Sequence, residues 1–292
     1  MKQLFLLCCL VLFSVSATVP PKKIKLPKAY VYIPSGQLEQ DGKQLAIQGF
    51  FMQATEVTNL HYREFLAALE RQGRTADLEK ARVRPEGWNL PGAHMEPFVE
   101  HYHQHPAFEN YPVVNITREA ALLYCAWLEE TLQARHPDEV IKVRLPSETE
   151  WMYAARAGHK DVSYPHGNYL RNSKGQFLYN FRRFGDESIH RNPETGEIEV
   201  KKDALKKMAA NLNAGTNFGP APAKSFFPND FDLYHMSGNV AEMVAEIDHT
   251  KGGCFNSTGY DIRIDAPDEF AGVTGASPFI GFRPLITLLE KK

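Results

Sequence analysis

Arg144-Leu145-Pro146-Ser147-Glu148-Thr149-Glu150-Trp151 is the stretch on which the fold turns. An extended segment from Val143 stops at Pro146, which has no backbone N–H to give to a strand ladder. Ser147 then offers a side-chain oxygen to the open N–H groups of a helix start. Glu150, three residues on, completes a capping box. The helix runs through Tyr153 and Ala155 and ends near Gly158.

Upstream, Thr117-Arg118-Glu119-Ala120 opens the clearest helix of the chain. Its apolar positions Leu122, Leu123, Cys125, Ala126 and Trp127 predict a mostly buried segment. Tyr111 to Ile116 reads as extended, and residues 71–110 read as irregular. Before them, Thr58 or Asn59 is a natural N-cap for a helix through Tyr62, Phe65, Leu66 and Leu69. Strands are expected at Ala29–Ile33, ending at Pro34-Ser35-Gly36, and at Leu45–Met52. Downstream, residues 159–225 read as loop, with a short helix at Lys201–Ala210. Short extended pieces follow at Ser225–Phe227, Glu242–Ile247, Lys251–Phe255 and Ile280–Ile286. So much irregular backbone must have its polar groups satisfied, and ions held in loops are one means.

The N-terminal residues have the three parts of an export signal. Met1-Lys2-Gln3 brings one charge, Leu4 to Phe13 is apolar, and Ser14 to Ala17 is a small-residue exit with Val15 and Ala17 at the −3 and −1 positions. The apolar run falls short of the roughly 20 residues that span a bilayer. Cys8 and Cys9 follow too little apolar sequence for a lipoprotein signal. The reading is therefore a signal peptide over 1–17, a tether over 18–28 and a single domain over 29–292, with no transmembrane helix after cleavage. An exported chain is expected in the periplasm or on the outer membrane.

The net charge is −2. That argues against nucleic acid as the partner, because phosphate binding needs a concentrated basic surface. Cys125 and Cys254 remain after cleavage, so at most one disulfide is possible and the fold must rest on its core. About 275 residues suffice for that.

Several segments together resemble the formylglycine-generating enzyme, or sulfatase-modifying factor, family. They are Thr55-Glu56-Val57-Thr58-Asn59 with Tyr62 and Phe65, then Tyr111-Pro112-Val113-Val114-Asn115, then Arg144 to Trp151 with Tyr153 to Arg156. Leu233 to Glu242, Lys251-Gly252-Gly253 and Gly281-Phe282-Arg283 complete the set in family order. The resemblance implies one α+β domain of the complex C-type-lectin-like kind. A narrower likeness, to the Bacteroidetes branch with its gliding-motility and type IX secretion lipoproteins, lies in Arg171 to Gly175, Ser225 to Asp230 and Asp265 to Arg283.

The family enzyme oxidises a substrate cysteine with two copper(I)-binding thiols. On this chain those positions fall on Ser257 and Ile262. Isoleucine cannot ligate, so the resemblance does not carry copper or the formylglycine reaction with it. Cys254 is the remaining thiol, with His249, Lys251 and Tyr260 close in sequence. A different, metal-dependent oxidoreductase site around Cys254 and Ser257 is the alternative to a non-catalytic chain. Calcium is the cofactor the resemblance implies. One site maps to His235, Gly238, Val240 and Glu242, the other to Asn211 and Leu212, where the acidic ligand the resemblance calls for falls near Gly215, which has no carboxylate. His101, His103 and His105 alternate, so a strand would present them on one face for zinc or iron. Asn115-Ile116-Thr117 and Asn256-Ser257-Thr258 are glycosylation sequons. The leading expectation is a rigid platform that binds an envelope protein or surface glycan through the loop-rich regions 82–110 and 168–203.

Overall fold

The computed structural model describes residues 26–90, 95–182, 187–202 and 219–289. The signal segment, most of the tether, Asn211, Leu212 and Gly215 lie outside the described residues. So does the expected helix beyond Lys202.

Two tight runs of apolar sequence begin the domain. Strand β1 (Tyr30–Ile33) pairs antiparallel with β4 (Phe50–Gln53). Between them, β2 (Gly36–Gln40) and β3 (Lys43–Ile47) form a separate hairpin. The single strand expected over Leu45–Met52 is thus two strands. Gly49 divides them, because a Cβ there would meet the Tyr32 hydroxyl at 2.5 Å and its N–H is held by the Ser35 hydroxyl.

Helix α1 (Asn59–Arg71) is capped by Thr58, whose side chain accepts from His61 N–H. It buries Tyr62, Phe65 and Leu69. Residues 71–110 are more ordered than expected. Helix α2 (Thr75–Ala81) and helix α3 (Glu96–His101) lie there, with single 3-10 turns at Pro85–Trp88 and Pro106–Phe108. Helix α2 buries only Ala81, so no apolar period announces it. It rests on the core through Ala81 and part of Leu78, and Arg74 before it pairs with Asp77 at 2.9 Å and with Glu130 of the neighbouring helix.

Helix α4 (Arg118–Arg135) starts at the Thr117 cap and packs its Ala120, Tyr124, Leu128 and Leu132 face on β5 (Val140–Arg144). Helix α5 (Glu148–Arg156) follows with the full capping box of Ser147 and Glu150. Its end is a left-handed Ala157, with φ of 48°. A hairpin of β6 (Glu187–Arg191) and β7 (Ile198–Lys202) stands apart. Lys201 and Lys202 therefore lie in a strand, not in the expected helix.

The last third supplies β8 (Ala241–Met243), β9 (Thr250–Lys251), β10 (Ile280–Gly281) and β11 (Leu285–Leu289). These are shorter than the expected extended pieces, and Ser225–Phe227 forms no strand. Strand β11 enters between β4 and β5, giving an antiparallel sheet of order β1-β4-β11-β5. Strands β10, β8 and β9 make a second sheet of order β10-β8-β9. The main core lies between α1, α4 and the larger sheet. A second core joins α5 to β2, β3 and β4. A third is built by Trp88, Met95, Tyr102 and Phe255. The aromatics of 82–110 are therefore core residues, and Trp88 and Tyr102 are fully buried. No helix among the described residues is long and apolar enough to cross a membrane.

Candidate functional site

The loop after β9 carries the sequence positions singled out for chemistry. Gly252 and Gly253 have φ of 91° and 62°, a region open chiefly to glycine. They let the backbone bend closely past Trp151 and back onto Ile262 and the Asp261 carbonyl. Cys254 and Ser257 follow, both buried. Ser257 Oγ accepts from Cys254 N–H at 2.8 Å and donates to the Glu269 carboxylate in a very short bond. Cys254 Sγ accepts from Asn256 N–H at 3.3 Å. Burial pushes the Cys254 thiol up to about 12, the opposite of an activated nucleophile. Ile262 is fully buried among Tyr164, Leu178, Tyr179 and Phe181.

The remaining groups of the alternative site do not meet Cys254. His249 lies against Asp268 at 3.2 Å and Glu148 at 3.5 Å. Lys251 donates to the Ala266 carbonyl at 3.1 Å and sits 3.3 Å from Glu148. Tyr260 is 57% exposed, with the Arg263 guanidinium over its ring at 3.9 Å.

Beneath the loop lies a buried charge network that the sequence reading did not assemble. Arg283 is fully buried and gives Nη2 to Glu242 Oε1 at 2.6 Å and Nε to Oε2 at 2.8 Å. It also donates to the carbonyls of Gln53, Ala54 and Tyr234. Trp151 Nε1 donates to Glu242 Oε2 at 2.8 Å. Glu56, also fully buried, accepts from Asn239 Nδ2 at 2.8 Å through Oε1. Its Oε2 has no partner. Asn239 Oδ1 in turn accepts from Asn180 Nδ2 and from Ala221 N–H. Desolvation raises the Glu56 carboxyl from 4.5 to about 8, against the lowering pull of Arg283. Burial is the first cause and the nearby Glu242, which holds the guanidinium at contact, adds to it, so Glu56 keeps its proton.

The sequence profile of the sulfatase-modifying factor enzyme 1-like domain matches residues 15–288. The chain belongs to this family. The formylglycine-generating enzyme of Mus musculus is 26% identical over 283 residues, covering 83% of this chain and 65% of the relative. This chain thus spans less than two thirds of that relative's length. The inactive C-alpha-formylglycine-generating enzyme 2 of Mus musculus is 23% identical over 267 residues, covering 81% of this chain and 72% of the relative. The solved structure of PvdO from Pseudomonas aeruginosa shares the fold, with a TM-score of 0.55 at 17% identity over 88% of this chain and 93% of that one.

Within this sulfatase-modifying-factor chain, the two side chains mapped to a calcium site, Glu242 and His235, are otherwise engaged. Both oxygens of Glu242 are taken by Arg283 and Trp151. The His235 imidazole lies 3.2 Å from both the Ser225 hydroxyl and the Pro222 carbonyl, and burial lowers its pKa to about 3. Gly238 and Val240 are buried beside them. A calcium ion at Glu242 would have to displace a guanidinium, so these residues in this arrangement do not fit the ion.

The histidine reading is corrected as well. His101 ends α3 and no strand forms there. The His101 and His105 rings stack edge-on at 5.9 Å, while His103 turns inward to Asn59 Oδ1 at 3.2 Å and is lowered to about 3 by burial. Among the described residues, no three His, Cys, Asp or Glu side chains gather around a metal position. Asn115, the acceptor of the first sequon, is fully buried, with φ of 57°.

Sequence reasoning quoted Glu56, Asn239 and Arg283 only as parts of motifs. One signal was available for Arg283, a charged residue set in the apolar run Gly281-Phe282-Arg283-Pro284-Leu285. Such residues are rarely buried unless paired.

Proposed function

We propose that this chain is a non-catalytic member of its family that acts as an exported binding platform in a cell-envelope assembly. The observation that carries the reading is the fate of the two positions where the family's copper thiols map. They are Ser257 and Ile262, both fully buried, one tied to Glu269 and the other packed in apolar surroundings. Neither position offers a substrate cysteine a thiol, and the Cys254 thiol 3.4 Å from Ser257 Oγ is itself buried. The inactive relative among the matches supports the same direction.

The binding surface is assigned to the 168–182 part of the loops. Residues 82–110 spend their aromatics on the core, whereas Tyr169 is 74% exposed and Arg171 lies over Phe177 at 3.9 Å. Exposed tyrosine and arginine are residue types that interfaces favour. The export signal read in residues 1–17, the C-type-lectin-like character of the fold, and the likeness to gliding-motility and type IX secretion lipoproteins motivate the periplasmic or outer-membrane setting. The partner is an envelope protein or a surface glycan.

Two measurements test this. A pull-down from envelope membranes at native expression should recover secretion or motility proteins, and recovery should fall with Tyr169→Ala/Arg171→Ala. A cysteine-containing substrate peptide incubated with the purified chain and copper should yield no aldehyde. Aldehyde formation sinks the non-catalytic reading, and an empty pull-down sinks the envelope-assembly reading.

A further inference from the structure

We infer that the cleft between the β2–β3 hairpin and the end of α5 binds a neutral polyhydroxylated ligand of the saccharide class. This deepens the binding-platform reading and rests on it. The cleft has a volume of about 380 Å3, inside the range of about 300–1,000 Å3 for small-molecule sites.

Its two lips are tight turns. Asp41 and Gly42 turn the hairpin with φ of 52° and 70°. Ala157, Gly158 and Asp161 lead the chain away from α5 with φ of 48°, 85° and 52°. The wall between them is held from behind. Tyr153 donates its hydroxyl to the Pro34 carbonyl at 3.0 Å, and Arg156 donates Nη1 to the Glu39 carbonyl at 3.0 Å. These bonds tie the hairpin to the helix, so the concavity exists before any ligand arrives.

The lining chemistry selects the ligand class. Glu39, Asp41 and Asp161 share the cleft with Arg156 and Lys160, yet none of these five pairs with another within ion-pair distance. His159, also in the lining, is held instead by Asp230 at 2.8 Å. Charges of both signs that line one concavity without neutralising each other suit groups that both donate and accept hydrogen bonds, which hydroxyls do. The carboxylates outnumber the two permanent cations, and α5 points its C-terminus, the negative end of its dipole, at the site. Both facts disfavour an anion. The guanidinium and ammonium groups disfavour a bare metal cation. An apolar ligand finds only Leu38 and Tyr153, each more than nine-tenths buried.

Saturation-transfer NMR on the full chain tests the inference, with maltose, cellobiose and chitobiose as probes and inorganic phosphate as the anionic control. The variant is Glu39→Ala/Lys160→Ala. Both residues are exposed, so the melting temperature should stay unchanged. At least one disaccharide should receive saturation, with affinity at least tenfold weaker in the variant. The inference is overturned if none of the three disaccharides receives it, if the variant binds equally well, or if phosphate alone binds. Disaccharide failure beside a successful pull-down removes the cleft and leaves the platform. Disaccharide binding beside an empty pull-down does the reverse.

Discussion

Glu56→Gln isolates the proton held in the buried network. The carboxyl sits on the protein side of a raised pKa, from 4.5 to about 8. A group raised in the fold contributes its full stability below its unfolded pKa and loses it as pH rises through the folded one. At about 1.4 kcal/mol per pH unit, the passage costs the native state at most about 5 kcal/mol. Gln keeps the acceptor used by Asn239 Nδ2 and removes the titration. It adds no new orphan, because the protonated acid already carries its O–H where Oε2 has no partner. Denaturant unfolding of both proteins should therefore coincide near about pH 5. Above that, wild type should weaken relative to the variant, and the gap should level off beyond about pH 8. A pH-independent gap would refute the reasoning. So would a variant several kcal/mol weaker at every pH, which would mean that Glu56 is ionised and shares Arg283 with Glu242.

Three further outcomes are expected. Arg283→Met strands the Glu242 carboxylate and should cost about 3–5 kcal/mol in denaturant unfolding; adding Glu242→Gln should recover part of that loss, and no recovery would contradict the pairing. Burial pushes both the Cys125 and Cys254 thiols up to about 12, so a thiol reagent at neutral pH should label neither in the native chain and both in denaturant, as read by mass spectrometry. Burial lowers His103 and His235 from 6.5 to about 3, so their contribution is present above pH 6.5 and is lost as pH falls toward 3. His235→Gln should flatten the acid limb of the stability curve, and an unchanged limb would mean that the imidazole already titrates normally.

Local signals were legible where one short segment decides the structure. The Ser147 capping box and the helix starts at Thr58 or Asn59 and at Thr117 were readable, because each is set by residues within a turn of one another. The buried face of α4 was not: of its five expected positions Cys125 alone is buried, while Leu122 and Ala126 are exposed. Helix α2 was not, since it gives the core only Ala81 and part of Leu78, too few positions to show a period. The split at Gly49 was hidden because it answers to the Tyr32 ring from another strand. The charge network was illegible for a deeper reason. Glu242 and Arg283 are 41 residues apart, and Asn239 and Glu56 are 183 apart. No period or spacing connects them, and only the closed fold brings three motifs to one point. The same holds for Ser257 and Ile262. Their identities spoke against a copper pair, but their burial is a property of the loop between the paired glycines and Glu269.

The position of β11 sets the order in which this molecule can assemble. It is the last described strand in the chain, yet it lies inside the larger sheet with β4 on one side and β5 on the other. Until Leu285–Leu289 arrives, both neighbours present open edges and the helices have half a surface to rest on. Arg283, two residues earlier, delivers the counter-charge for Glu242 at the same moment. A chain made from its N-terminus lacks this central strand until nearly all of it is available. A chaperone that shields β4 and β5 during that interval would act on a state that exists only before the final strand is in place.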